Sequence, residues 1–345
     1  MKNKKYVYAV ILNWNGYEDT IACLETLLVS TKVNLRVVVC DNNSSDNSLD
    51  KIEAWADGRL SAIKPQSSRL QSLLGDLEKP VRYIRLTRSE SERGKMTDYE
   101  SLVLIQNGAN LGFAAGNNVG LRFAMRQADM NFVWLLNNDT LVEPNCLGNM
   151  LRRLQAEPTP AVCGSVIHFY DQPQIVQAIG GNRFNRKTGC AAISEGRFTH
   201  EDAPKDVSKV ESAIDYISGC SMLLPRDFLR TTGLMSEDYF LYYEEIDWFT
   251  RAGKRYRICI AEDARLYHRE GASIGSKNLR KSASPLSDFH MFRSRLTFMR
   301  KYYGRDLGLC YFSSIWEISK RLAKGQFRNA WTVATVLLGK QEFTG

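Results

Sequence analysis

The sequence predicts an α/β fold: a doubly wound sheet of several strands with a helical annex at its C-terminal end. Three observations lead there. Phe132 to Leu136 is an apolar run that stops abruptly at Asn137-Asn138-Asp139-Thr140, as a strand covered on both faces does. The first 56 residues alternate strand-like and helix-like hydrophobic periods, the rhythm of a parallel sheet. At 345 residues, with 44% hydrophobic and 24% charged content, the chain can bury a large core and has no disordered character.

In order, Tyr6 to Leu12 reads as the first strand, and Glu18 to Leu28 as a helix through Ile21, Leu24, Leu27 and Leu28. Leu35 to Cys40 is the second strand. The following helix is expected to start near Ser45 as N-cap, with Leu49, Ile52 and Trp55 on one face. Residues 58–100 hold one short strand candidate, Val81 to Leu86, in a charged and Ser-rich stretch expected to leave the sheet as a long insertion. Leu102 to Gln106 is a strand, and Asn107 to Asn118 a Gly- and Asn-rich turn before a helix over 119–127. Such a turn suits close approach to a phosphate, or simply a tight helix–sheet contact that needs small residues. A helix follows from Pro144 to Ala156, then a strand from Ala161 to Ile167. Residues 171–210 read as loops. Ile214 to Leu224 is a strand broken at Gly219, by a bulge or a ligand against the backbone, and Pro225 opens a short helix. Tyr256 to Ile260 is a further strand.

The net charge of +8 is unevenly placed. From Ser276 to Gly345 there are 13 Lys and Arg against 4 Asp and Glu, leaving the rest of the chain near neutral. A basic tail favours an anionic membrane surface or a lipid-linked phosphate as neighbour, and a neutral body argues against nucleic acid. The eight cysteines include no Cys-x-x-Cys pair and mostly sit in apolar runs, as small buried thiols of a reducing compartment do. The apolar run after Met1-Lys2-Asn3-Lys4-Lys5 is too short for a signal peptide and has no cleavage site, and no stretch approaches a membrane span. A cytoplasmic protein resting peripherally on the inner membrane face is the expectation.

Two acidic clusters carry the chemistry. Asp139 falls just past the carboxyl end of a central strand, where open α/β sheets bind ligands. Its carboxylate suits a hard cation bearing a diphosphate, while Asn-Asn-Asp-Thr also reads as a turn with a cap. The second cluster, Glu244-Glu245-Ile246-Asp247-Trp248, follows a run of aromatics and opens a helix that ends at Gly253. Acids in a first helical turn complement the helix dipole, but carboxylates among so many aromatics should also have raised pKa values, as a general base requires. His268, one of four histidines, stands at a strand end after both clusters and suits metal, phosphate or a structural hydrogen bond.

The order of these signals resembles the family 2 glycosyltransferases of GT-A fold. It runs Asn13-Trp14-Asn15-Gly16, Asp41 to Asp46, Asn110-Leu111-Gly112-Phe113 with Asn117-Asn118, Asn137-Asn138-Asp139, Tyr243 to Trp248, then His268. The resemblance covers about 6–276, and Arg293 to Phe298 is similar to a rhamnosyltransferase-like branch. It implies a GT-A-type, Rossmann-like mixed sheet over 1–275 and a basic helical segment over 276–345. It also implies inverting transfer from a nucleotide-diphosphate donor, dTDP-rhamnose or a UDP-sugar, to a hydroxyl of a cell-surface glycan or lipid-linked saccharide. By family pattern Asn13, Asn15, Asp41, Asn43, Ser44, Asn110, Gly112, Phe113, Asn118, Asn137 and Asn138 serve the nucleotide sugar. Asp139, with His268, would hold Mg2+ or Mn2+; Glu245 would be the base, with Glu244 and Asp247 beside it; Gly219 and Trp248 would meet the acceptor. The competing readings are a sugar-phosphate nucleotidyltransferase, which lacks its basic Gly-rich loop after strand one, and a non-catalytic carbohydrate-binding protein.

Overall fold

The computed structural model describes residues 6–29, 33–93, 101–193, 198–199, 206–269 and 283–343. The chain opens with β1 (Tyr6–Asn13), α1 (Tyr17–Val29), β2 (Leu35–Asp41) and α2 (Ser48–Ala56). Then come α3 (Ser68–Gln71), β3 (Tyr83–Thr87), α4 (Arg88–Glu92), β4 (Leu102–Gln106) and α5 (Gly112–Arg126). β5 (Met130–Asn137) leads into β6 (Thr140–Val142), α6 (Cys146–Gln155) and β7 (Ala161–Phe169). Four short strands follow: β8 (Ile175–Ile179), β9 (Gly181–Phe184), β10 (Ala191–Ile193) and β11 (Phe198–Thr199). Next are α7 (Val207–Ala213), β12 (Tyr216–Ile217), β13 (Ser221–Pro225), α8 (Arg226–Thr232), α9 (Glu244–Ala252) and β14 (Arg257–His268). The chain closes with α10 (Pro285–Tyr302), α11 (Leu307–Ala323) and α12 (Phe327–Leu337).

The main sheet runs β11-β8-β7-β13-β5-β1-β2-β4-β3, with β14 beside β7 and β6 beside β14. β3, β4, β2, β1 and β5 are parallel, and β13 inserts antiparallel between β5 and β7, so the sheet is mixed. Strand alternation divides β1 between two cores: Tyr8 and Val10 face one, Val7, Ala9 and Ile11 the other. The Val and Ile side chains among them each contribute roughly 1.5–3 kcal/mol on burial. Register brings Asn13 opposite Asp41, Asp41 opposite Gln106, and Leu12 opposite Asn137, so the polar strand ends fall in one row.

Several expectations are corrected. The Asn107–Asn118 turn is shorter than expected, because α5 starts at Gly112. A Cβ on Gly116 would lie 2.6 Å from Leu12 Cδ1, and one on Gly120 2.7 Å from Val10 Cγ1, so these glycines serve helix–sheet contact. Ser45 does not cap α2. Its N–H donates to Asn15 Oδ1 at 2.7 Å, and the helix begins at Ser48 after Asn47 at φ 59°. Residues 58–93 are not wholly outside the sheet: 58–82 hold no strand, though Leu70 is fully buried, but β3 is the sheet's edge strand, while 94–100 lie outside the described residues. Residues 171–210 are not all loop, since β8 to β11 and the start of α7 fall there. Short strands with Gly at their joints gave no periodicity to read.

β14 is longer than its apolar stretch, with a register shift between Ala261 and Arg265 that carries it on to His268. There His268 pairs with Thr140 of β6, and Arg269 N–H donates to Asp139 O at 3.0 Å, placing the histidine beside the first acidic cluster. The basic segment is helical, but α10 belongs to the main core: Phe289, Phe292, Leu296, Phe298 and Met299 pack in the cluster that holds Trp248 and Tyr243. Pro285 in its first turn and Ser284 Oγ accepting from Ser287 N at 3.1 Å fix where it starts.

Candidate active site

A cavity of about 490 Å3 lies past the carboxyl ends of β1 and β5, bordered by the β12–β13 break, the start of α9 and the start of α10. Asn110, Gly112, Phe113, Asn137, Asn138, Asp139, Gly219, Glu244, Glu245 and His268 all line it. The two acidic clusters therefore face one space, although more than a hundred residues separate them.

On one wall, Asp139 is half-buried, and its Oδ1 lies 3.1 Å from His268 Nε2, close enough for an ion pair. His268 Nδ1 lies 3.1 Å from Gln177 Oε1, an oxygen that only accepts, so that nitrogen carries the proton. Nε2 is left facing Asp139 and the Asn137 amide at 3.3 Å. Burial opposes charge on both groups, but their mutual attraction outweighs it: the Asp139 carboxyl is held below its usual range and His268 well above. With the Nε2 proton released, one carboxylate oxygen and one imidazole nitrogen converging in this way would fit a divalent ion that takes its other ligands from phosphate and water. No cluster of three such ligands exists among the described residues. Asn138, though it lines the cavity, uses its Nδ2 to donate to Thr20 Oγ1 at 3.0 Å.

On the other wall, α9 begins after Tyr242 and Tyr243, at φ 66° and 73°. Two consecutive non-glycine residues in the left-handed region are strained, by about 1–3 kcal/mol each. Tyr242 Oη sits 2.8 Å from Ser287 Oγ, and Tyr243 Oη donates to Gly189 O at 2.5 Å, which holds the bend. The helix thereby presents Glu244 and Glu245 at its N-terminus. Glu245 Oε1 accepts from Gly219 N–H at 3.2 Å, and a Cβ on Gly219 would lie 2.2 Å from that oxygen. Burial raises the pKa of both carboxyls, and Glu245 raises Glu244 further. Glu244 Oε2 is buried and has no hydrogen-bond partner.

Asn13, Asn15, Asp41, Asn43 and Ser44 lie beside the cavity and do not line it. Asn13 Nδ2 donates to Asp41 Oδ1 at 2.7 Å, and Ser44 Oγ to the same oxygen at 2.6 Å. Ser44 Oγ in turn accepts from Asn15 N–H at 2.8 Å. This network, buried at Asn13 and Asp41, shapes the strand ends, while Asn43 is exposed at a turn with φ 59°.

Three expected residues are elsewhere. Asn118 ties α5 to the loop before α9 through Met235 O and Glu237, both at 2.9 Å. Trp248 is fully buried, donating to Gly233 O at 2.8 Å with Phe228 edge-on at 5.2 Å, so it is core and does not face an acceptor. It sits one turn, about 6 Å, further along the helix than Glu244. Asp247 is likewise enclosed, by Arg251 at 2.6 Å, Tyr302 at 2.9 Å and Lys301 at 3.0 Å.

Tyr242, one of the tyrosines before Trp248, also lines the cavity, as do four residues to which the sequence gives no role of their own: Trp14, Asn42, Phe240 and His290. Asn42 follows Asp41 and so points to the opposite side of the strand end, its Nδ2 donating to Gly112 O at 3.0 Å. Strand alternation could have found it. His290 comes from α10, stacked on Phe240 at 4.6 Å, and burial with Arg293 nearby lowers its pKa to about 4. No local signal marks it.

Residues 89–191 match the model for glycosyl transferase family 2. The protein is also 22% identical over 164 residues to the low-salt glycan biosynthesis hexosyltransferase Agl10 of Haloferax volcanii, covering 48% of this chain and 50% of that one. It thus spans about half the length of that curated relative. Among solved structures it resembles a mannosyltransferase of Pyrobaculum calidifontis in complex with GDP-Man and Mn2+. There the TM-score is 0.50 at 14% identity, over 99% of this chain and 77% of that one.

The fold is GT-A. GalNAc-T7 with UDP, GalNAc and Mn2+ has the same GT-A architecture, with a TM-score of 0.57 at 11% identity over 92% of this chain and 52% of that one. The family 2 match spans the segment from α4 to β10, which carries β5 and Asp139 at its centre. Family match and GT-A frame thus agree on the region that builds one wall of the cavity.

Proposed function

We propose that this chain is an inverting glycosyltransferase that moves a sugar from a nucleotide-diphosphate donor to a hydroxyl of a glycan or lipid-linked saccharide. One observation carries the reading: Asp139 with His268, and Glu245 with Glu244, all line a single cavity. Similarity to proteins solved with GDP-Man or UDP and Mn2+ supports a nucleotide sugar, and dTDP-rhamnose or a UDP-sugar is our first choice of donor.

In this reading Asn42, Asn110 and Gly112 border the nucleotide, and Asp139 and His268 hold Mg2+ or Mn2+ at the diphosphate. Such an ion offsets the negative charge that grows on the leaving group. Glu245 accepts the proton of the acceptor hydroxyl as its oxygen bonds to the anomeric carbon. The bond from that carbon to the diphosphate breaks, and the diphosphate leaves with the electron pair. Attack from the side opposite the leaving group inverts the centre. The raised pKa of Glu245 suits this role, because a base works best when its pKa approaches the operating pH. Glu244, deeper and closer to the core, is the alternative base.

The test is a panel of UDP-, dTDP- and GDP-sugars, read by thermal shift and by donor hydrolysis with Mg2+ or Mn2+. One donor should stabilise the protein in a metal-dependent way that Asp139→Asn abolishes. If none binds with either metal present, the proposal fails.

A further inference from the structure

Of the large apolar side chains strongly exposed among the described residues, Val29 and Ile63 apart, all fall between Leu309 and Leu338. They are therefore a local feature of α11 and α12. On α11, Phe312 and Trp316 are 72% and 61% exposed, one turn apart. On α12 and the residue that caps its end, Phe327, Trp331 and Leu338 recur at i, i+4 and i+11 and are 68%, 69% and 86% exposed. The inner side of α12, through Ala330, Val333 and Val336, is already buried in the core. This helix is thus apolar on two sides, and only one of them is used by the fold. Aromatic side chains left in water at this density mark a contact surface.

Charge identifies the occupant. Residues 305–340 carry six Lys and Arg against two Asp and Glu. Lys324 and Arg328, in the turn between the helices and at the start of α12, are exposed and make no ion pair among the described residues. A second copy of this chain, docked face to face, would bring like charges together. An anionic lipid surface complements them, and Trp and Phe flanked by basic residues are the composition of a helix lying in a bilayer interface. No helix among the described residues is long and apolar enough to cross a membrane, so the contact would be lateral.

We infer that the α11–α12 hairpin docks on an anionic membrane through Phe312, Trp316, Phe327, Trp331 and Leu338. The hairpin is fixed to the cavity wall. Buried Asp288, two residues before His290, accepts from Arg321 Nε and Nη2, each at 2.8 Å, and from Asn329 Nδ2 at 2.7 Å. The docking surface is thereby tied to α10, the helix that brings His290 to the cavity. Vesicle binding is read without donor or acceptor, so this inference stands or falls apart from the transfer reaction.

The experiment is co-sedimentation of the full chain with vesicles of phosphatidylcholine, alone or mixed with phosphatidylglycerol. The wild-type chain should pellet with the anionic vesicles, less at high salt, with a blue shift in tryptophan emission. Trp316→Ser with Trp331→Ser should remove most binding. Lys324→Gln and Arg328→Gln should each weaken binding to anionic vesicles roughly fivefold. All four positions are exposed, so melting temperatures should match the wild type and show that the variants fold. The inference is overturned if the wild-type chain does not bind, or if the tryptophan variant binds equally well. It is also overturned if light scattering finds a dimer that the tryptophan substitutions dissociate.

Discussion

At the scale of single residues, the two glutamates at the start of α9 should separate by role. Glu245→Gln should lower transfer by about 10²–10⁴-fold while metal-dependent donor binding, read by thermal shift, persists. Because burial raises its pKa, the acidic limb of the wild-type rate profile should lie above the ordinary glutamate range, which a pH–rate series would show. Glu244 tests the cost of a buried carboxylate with one oxygen unpartnered. Its folded pKa exceeds its unfolded one, so the native state binds the proton more tightly. Its contribution is favourable below the usual glutamate pKa and is lost as pH rises through the raised value. Glu244→Gln should therefore stabilise the protein at neutral pH, by about 1–2 kcal/mol in a denaturant titration, with little gain at pH 4. Residues such as Asp139 and Glu245 were legible because polar groups stop an apolar strand or open an aromatic-rich helix. His290 was not, since only the packing of α10 brings it to the cavity.

At the scale of elements, the break between β12 and β13 has a defined purpose. Gly219 leaves room for Glu245 and donates to it, so Gly219→Ala should displace that carboxylate. We expect kcat to fall at least tenfold, roughly the loss of one positioning hydrogen bond, with the circular dichroism spectrum unchanged. The Gly-rich turn before α5 teaches the opposite lesson. Its small residues were equally compatible with a phosphate and with a helix pressed on a sheet, and at Gly116 and Gly120 the sheet is what they meet. Composition could not separate the two, because both demand the absence of a side chain. The aromatic residues around the start of α9 were similarly ambiguous: Tyr242 lines the cavity, whereas Trp248, inside the helix, is core.

At the scale of the whole molecule, the sheet was readable from apolar strands and the annex from its charge. The way they join was not readable. Charge describes the surface of a helix, whereas α10 is held by its buried side, where Phe289, Phe292, Leu296, Phe298 and Met299 meet the sheet's own core. At roughly 1.5–3 kcal/mol for each side chain, their burial is comparable with the whole 5–15 kcal/mol margin of a typical domain. A chain ending at residue 275 should accordingly be insoluble or lack a cooperative melting transition, whereas a separable annex would leave a folded, donor-binding body. Differential scanning calorimetry on that truncation distinguishes the two.

The clasp of Arg321 and Asn329 on Asp288 has a consequence for which substrates can be used. Once the hairpin rests on lipid, the reactive chamber stands at a set altitude above the headgroups and cannot rise to follow a lengthening saccharide. Such an enzyme would extend the rungs nearest the lipid and leave the distant tip to others. A ladder of lipid-linked acceptors differing only in spacer length should show one preferred step.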